Sequence, residues 1–96
     1  MKYALIAGAC SGLAQAVIDA IEDDFVIFAM DINPAVSELY EGHANIHPFV
    51  LDITASSQIE DVRREIEKHT QSLDLLINFA GVVELGSVVE VKPEQF

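Results

Sequence analysis

Residues 6–15, "IAGACSGLAQ", place Gly8 and Gly12 four apart, with the Cys10 thiol and the Ser11 hydroxyl between them. Glycines so spaced let a backbone fold closely around a phosphate, because glycine tolerates left-handed conformations and carries no side chain to hold an anion away. The same letters also fit the tail of a signal peptide, or a turn that only packs. Three further positions could bind a polar ligand. Asp31 and Asp52 each follow an apolar run, where a carboxylate can accept hydrogen bonds from hydroxyl or amino groups. Asn78 precedes Ala80 and Gly81 at the end of another such run. His43, His47 and His69 lack metal-ligand spacing, and the single cysteine allows neither an internal disulfide nor a cysteine zinc site. No metal is expected, and Cys10 reads as filler of the turn.

The elements that must position these residues alternate in type. Residues 2–7, "KYALIA", read as a short buried strand bounded by Gly8. Beyond it Leu13, Val17, Ile18 and Ile21 fall at helical spacing, with Ser11 as the N-cap. Glu22, Asp23 and Asp24 end that helix, since negative charge is unfavourable at a helix C-terminus. Residues 25–30, "FVIFAM", are a continuous apolar run of the kind a strand covered on both faces requires, and Asp31 closes it. Asn33 then caps a short helix over 34–41 with Pro34 at its first position and Gly42 as its stop. Residues 45–53, "NIHPFVLDI", are a third strand with Pro48 confined to its start. Ser57 and Glu60 form a capping box for a helix whose buried stripe is Ile59, Val62 and Ile66. Glu60/Arg64 and Arg63/Glu67 are expected to pair along it at i,i+4. Residues 73–81, "LDLLINFAG", are a fourth strand, and 82–96 a loop with the start of a helix near Pro93. Strands and helices alternating through short loops imply an α/β fold with a parallel sheet and right-handed crossovers.

Composition narrows the function. The 96 residues make one domain or a piece of one, and 51% hydrophobic content is enough to bury a core. A net charge of -11 with five basic residues repels phosphate backbones and anionic membranes, so neither nucleic acid nor a membrane is an expected partner. The longest apolar runs are six or seven residues, far short of the ~20 that span a bilayer. A signal peptide would want more than Lys2 as its positive region, and a lipoprotein box would want Leu or Val where Ala7 stands.

Spacing separates the glycine motifs. A Gly-x-Gly-x-x-Gly turn needs glycine at Cys10 and Leu13, and the Gly-Lys-Ser/Thr of a phosphate-binding P-loop is absent. What stands is Gly8-x-x-x-Gly12-x-Ala14, directly after the first strand. This resembles the short-chain dehydrogenase/reductase family, whose fingerprint is Thr-Gly-x-x-x-Gly-x-Gly. The resemblance continues in register through Asp31, through Asp52-Ile53, and through Ile77-Asn78-Phe79-Ala80-Gly81, which matches the family's Asn-Asn-Ala-Gly. Three positions depart from the pattern. Ala7 replaces Thr, Ala14 replaces the third glycine, and Phe79 replaces the second Asn.

The resemblance implies a Rossmann-type sheet of strand order 3-2-1-4 that binds a nicotinamide dinucleotide. Gly8, Ser11, Gly12 and Leu13 would meet the pyrophosphate, and Asp31 with Ile32 the adenosine ribose. Asp52 and Ile53 would meet the adenine, and Asn78, Ala80 and Gly81 the ribose attached to nicotinamide. A carboxylate at Asp31 repels a 2′-phosphate and no arginine stands beside it, which favours NAD over NADP. The family's reaction moves a hydride between nicotinamide and a carbonyl or alcohol, using a serine and a Tyr-x-x-x-Lys pair. Here Tyr3 is followed four residues on by Ala7, and Tyr40 by Ala44. The sequence therefore reads as the cofactor-binding N-terminal portion of a longer cytoplasmic oxidoreductase. It holds no catalytic residue of its own and is expected to be inactive alone, with a small-molecule substrate only in the full-length form. A non-catalytic Rossmann-fold nucleotide-binding or interaction module is the alternative. Strand four would lie at the sheet edge, where apolar exposed backbone favours self-association as a homo-oligomer.

Overall fold

The computed structural model describes residues 1–52 and 55–79. Four strands and three helices alternate: β1 (Lys2–Ala7), α1 (Gly12–Ile21), β2 (Phe25–Asp31), α2 (Ala35–Leu39), β3 (Ile46–Val50), α3 (Ser56–Glu67) and β4 (Leu75–Asn78). The strands form one sheet in the order β3-β2-β1-β4. Every pairing is parallel, with Ala4 opposite Ile27 and Leu75, and Ile27 opposite Ile46. The fold is Rossmann-like, as the alternation of elements implies.

The central strands are apolar throughout because both of their faces are covered. Ala4, Ile6, Ile27 and Ala29 point to one side and pack with Ala14 and Ile18 of α1, Val36 of α2 and Tyr40. Leu5, Ala7, Phe28 and Met30 point to the other and pack with Ile59, Val62 and Ile66 of α3. Each fully buried Val, Leu, Ile, Phe or Met side chain among them stabilises by ~1.5–3 kcal/mol relative to exposure. The stripe at 59, 62 and 66 thus anchors α3, whose outer face is charged.

Several local expectations need correction. α3 begins at Ser56 with Ala55 as its N-cap and no side-chain cap, so Ser57 and Glu60 do not form a capping box. The entry is organised instead by a turn at Asp52, where the Ala55 N–H donates to the Asp52 carbonyl at 2.9 Å. The Gln58 carboxamide reaches back to accept the Asp52 N–H at 2.8 Å. Glu60 is engaged with Arg63, and the pairs along α3 (Glu60–Arg63, Asp61–Arg64, Glu65–Lys68) are spaced i,i+3 rather than i,i+4. Pro48 lies in the middle of β3, opposite Ala29. Because β3 is an edge strand, the missing N–H costs no ladder bond. β4 is shorter than expected, and the helix expected over 34–41 spans Ala35–Leu39. Asn33 still organises its start, its side-chain oxygen accepting the Ala35 N–H at 3.0 Å. Gly42 ends the segment with φ +84, a conformation costly for any residue with a Cβ. The expected loop and helix start at 82–96 lie outside the described residues.

Candidate functional site

The turn joining β1 to α1 is held by its own polar groups. Gly8 turns the chain at φ 75, where glycine carries no penalty. The Gly8 and Ala9 N–H groups both donate to the Met30 carbonyl, at 2.8 and 3.0 Å. The Gly8 carbonyl accepts the Ser11 N–H at 3.1 Å, and the Ser11 carbonyl accepts the Gln15 N–H at 3.0 Å. The buried Tyr40 hydroxyl donates to the Ala9 carbonyl at 2.7 Å. Gln15 Nε2 donates to the Cys10 carbonyl at 3.0 Å. Ser11 Oγ accepts the Ala14 N–H at 3.1 Å, the expected N-cap. The Gly12 and Leu13 N–H groups, in the first turn of α1, have no partner among the described residues. A Cβ built on Gly12 would meet nothing within 4 Å among the described residues, so the turn is open on that side. Two outward N–H groups at the positive end of a helix, beside that opening, suit an anion.

Asp31 ends β2 beside this turn. Its Oδ2 accepts the Cys10 N–H and its Oδ1 the Asn33 N–H, each at 2.9 Å. A carboxylate offers about four lone-pair sites, so each oxygen retains capacity for a ligand hydroxyl. Leu13 and Ile32 flank the site and are 68% and 65% exposed, unusual for aliphatic side chains next to a packed core. The turn and Asp31 together present donors for a phosphate and an acceptor for hydroxyl groups.

Of the other expected site residues, Asp52 and Asn78 lie at the same carboxyl end of the sheet. Asp52 follows β3 beyond Leu51, whose N–H donates to the Asp31 carbonyl at 3.0 Å. Asn78 ends β4 opposite Ala7, and the Phe79 N–H donates to the Ala7 carbonyl at 2.8 Å. Ile53, Ala80 and Gly81 lie outside the described residues. The departures from the family pattern are absorbed by packing. Ala7 and Ala14 are fully buried, and Phe79 lies half-buried against the cluster that contains Ile6 and Ala9.

Tyr40 and Gln15 escape sequence reasoning. Their bonds to Ala9 and Cys10 depend on tertiary placement, and neither residue belongs to a recognisable motif. Burial, followed by the electrostatic influence of the nearby Cys10, Asp19, Asp31 and Glu22, pushes the Tyr40 phenol up to about 12, so it stays a donor. Burial, reinforced by Asp31, also raises the Cys10 thiol, which disfavours the reactive thiolate. Among the described residues no group of three or more His, Cys, Asp or Glu side chains is placed to hold a metal, and no helix is long and apolar enough to cross a membrane.

Comparison with known proteins places this arrangement. The chain is 30% identical over 101 residues to 2,3-dihydro-2,3-dihydroxybenzoate dehydrogenase of Bacillus subtilis, covering 99% of this chain and 39% of that protein. Among solved structures it resembles 4-hydroxyisoleucine dehydrogenase complexed with NADH, at 27% identity and a TM-score of 0.69, over 98% of this chain and 40% of the other. It also resembles ElxO with NADP bound, at 25% identity and a TM-score of 0.64, over 84% of this chain and 35% of the other. The chain thus spans about two-fifths of the length of the relatives it matches. The model of the short chain dehydrogenase family matches residues 2–96, and the chain belongs to that family.

Proposed function

We propose that this chain is the NAD(H)-binding N-terminal half of a cytoplasmic short-chain oxidoreductase that moves a hydride between nicotinamide and a small carbonyl or alcohol substrate. The observation that carries this reading is the bond from the Cys10 N–H to Asp31 Oδ2, 2.9 Å, which fixes an acidic acceptor beside the open Gly12 and Leu13 N–H groups. The residues fit the group. The Gly12 and Leu13 donors would take the pyrophosphate, assisted by the dipole of α1, and the absence of a Cβ on Gly12 admits its oxygens. Asp31 would accept from the ribose hydroxyls, with Leu13 and Ile32 covering apolar parts of the ligand. Asp52 and Ile53 would meet the adenine, and Asn78, Ala80 and Gly81 the second ribose. When bound, the dinucleotide supplies the hydride carrier. The solved neighbours hold NADH in one case and NADP in another, so the preference for NAD rests on the Asp31 charge and on the lack of an arginine beside it. These residues contain no Tyr-x-x-x-Lys pair, and they are expected to bind without turnover. The β4 edge is the surface through which they would self-associate.

Fluorescence titration with NADH and NADPH tests the assignment. Removing hydrogen bonds to a charged group costs ~1.5–3 kcal/mol, so Asp31→Ala should weaken NADH by ~10- to 100-fold while relaxing discrimination against NADPH. Unchanged NADH affinity together with unchanged discrimination would show that Asp31 is not the ribose acceptor.

A further inference from the structure

We infer that Tyr40 is a positioning residue for the nucleotide turn, its hydroxyl clamping one end of the peptide whose other end is held by Asp31. This role rests on the nucleotide-binding reading above. The Ala9 carbonyl and the Cys10 N–H belong to a single planar peptide unit, which rotates as one body. The carbonyl accepts from the Tyr40 hydroxyl at 2.7 Å, and the N–H donates to Asp31 Oδ2 at 2.9 Å. The two clamps come from separate elements. Asp31 ends β2, whereas Tyr40 follows α2 and is packed to 4% exposure in the cluster beneath α1. Ala9 is fully buried, so its carbonyl cannot turn to water if the hydroxyl is lost. Rotation of the peptide toward another donor would swing the Cys10 N–H away from Asp31. It would also shift the chain two residues before the Gly12 donors. The protonated phenol therefore acts at a distance: it touches no ligand, yet it fixes the aim of the groups that do. A tyrosine whose only role is to fill the cluster would do so equally well without its oxygen.

The test compares Tyr40→Phe, which keeps the ring, with Val36→Ala, which weakens the same cluster but leaves the hydroxyl bond intact. NADH, ADP and adenosine are titrated against each full chain at a temperature where circular dichroism shows it folded. Tyr40→Phe should bind NADH and ADP about 5-fold more weakly, the net worth of one neutral hydrogen bond, about 1 kcal/mol, taken at about 1.4 kcal/mol per tenfold. The loss for adenosine, which lacks phosphates, should be smaller. Val36→Ala should bind like the wild type, and amide exchange at Cys10 should quicken in Tyr40→Phe beyond its value in Val36→Ala. Equal binding by Tyr40→Phe and wild type overturns the role, as does an equal loss for ADP and adenosine, or a matching loss in Val36→Ala. A wild-type chain that binds neither NADH nor ADP overturns the nucleotide reading itself and this role with it.

Discussion

Replacing Gly12 by alanine should move stability and binding in opposite directions. Gly12 is the first residue of α1, its φ lies outside the left-handed region, and an added Cβ would meet nothing within 4 Å. Nothing among the described residues therefore opposes the methyl, and the unfolded chain loses freedom. Such a Gly→Ala change stabilises by about 0.4–1 kcal/mol. At about 4–8 °C per kcal/mol for a domain of this size, the melting temperature should rise by about 2–8 °C. The same methyl would occupy the space through which a phosphate reaches the Gly12 and Leu13 N–H groups. Hydrogen bonds to a charged group are worth about 1.5–3 kcal/mol each, so losing both would cost about 3–6 kcal/mol. Since part of the contact survives by displacement, a loss of about 100-fold in NADH affinity is the working expectation. Differential scanning fluorimetry and NADH titration on the same sample read both quantities. A melting temperature that rises while NADH affinity stays unchanged would refute the pyrophosphate site, leaving a turn that merely packs. A melting temperature that falls would refute the open space in front of Gly12.

Acidification should weaken the fold through His47. Burial, and then the neighbouring His69, lowers its folded-state value below the ordinary 6.5. The unfolded chain therefore takes up the proton first, so this contribution to stability is intact above 6.5 and declines as the pH falls below it. His47→Phe, which keeps a ring beside Phe28, should flatten the fall of the urea midpoint on that acidic side; an unchanged slope would show that His47 is not its source. Self-association is expected through β4, which is an edge strand among the described residues and holds Leu76 at 43% exposure. Sedimentation velocity at tens of micromolar should show oligomers that Leu76→Lys diminishes, and a clean monomer in the wild type would count against the edge.

The alternation of strands and helices was legible because it needs only local apolar patterning: "FVIFAM" cannot be amphipathic, and Ile59, Val62 and Ile66 cannot share a face except on a helix. The Ser11 cap was legible for the same reason, since cap and recipient are three residues apart. The start of α3 was not. Ser57 and Glu60 satisfy the pattern of a capping box, but the turn at Asp52 with Gln58 reaching back starts the helix two positions earlier, with Ala55 as its N-cap. The accommodation of Phe79 could not be read either, because the cluster it leans on is assembled from β1, β2, β3, α1 and α2. Tyr40 was hidden more deeply: its partner carbonyl is a backbone atom 31 residues away, and backbone atoms leave no mark on a sequence.

The double attachment of Asp31 has an evolutionary consequence. A lineage moving from one dinucleotide to its phosphorylated form would begin by discarding the carboxylate, yet that carboxylate also holds the Cys10 N–H and, through Oδ1, the start of the chain toward α2. Any replacement without an acceptor at that position leaves a half-buried amide unpaired and slackens the loop meant to grip the new ligand. Either the residue that replaces Asp31 brings its own acceptor for the Cys10 N–H, or a second acceptor must be in place before Asp31 goes; a cation for the extra phosphate can follow. The two substitutions are epistatic, because neighbours that share a partner do not contribute additively. On the proposed reading, cofactor preference at this site would be inherited together with the geometry of the turn, because Asp31 serves both.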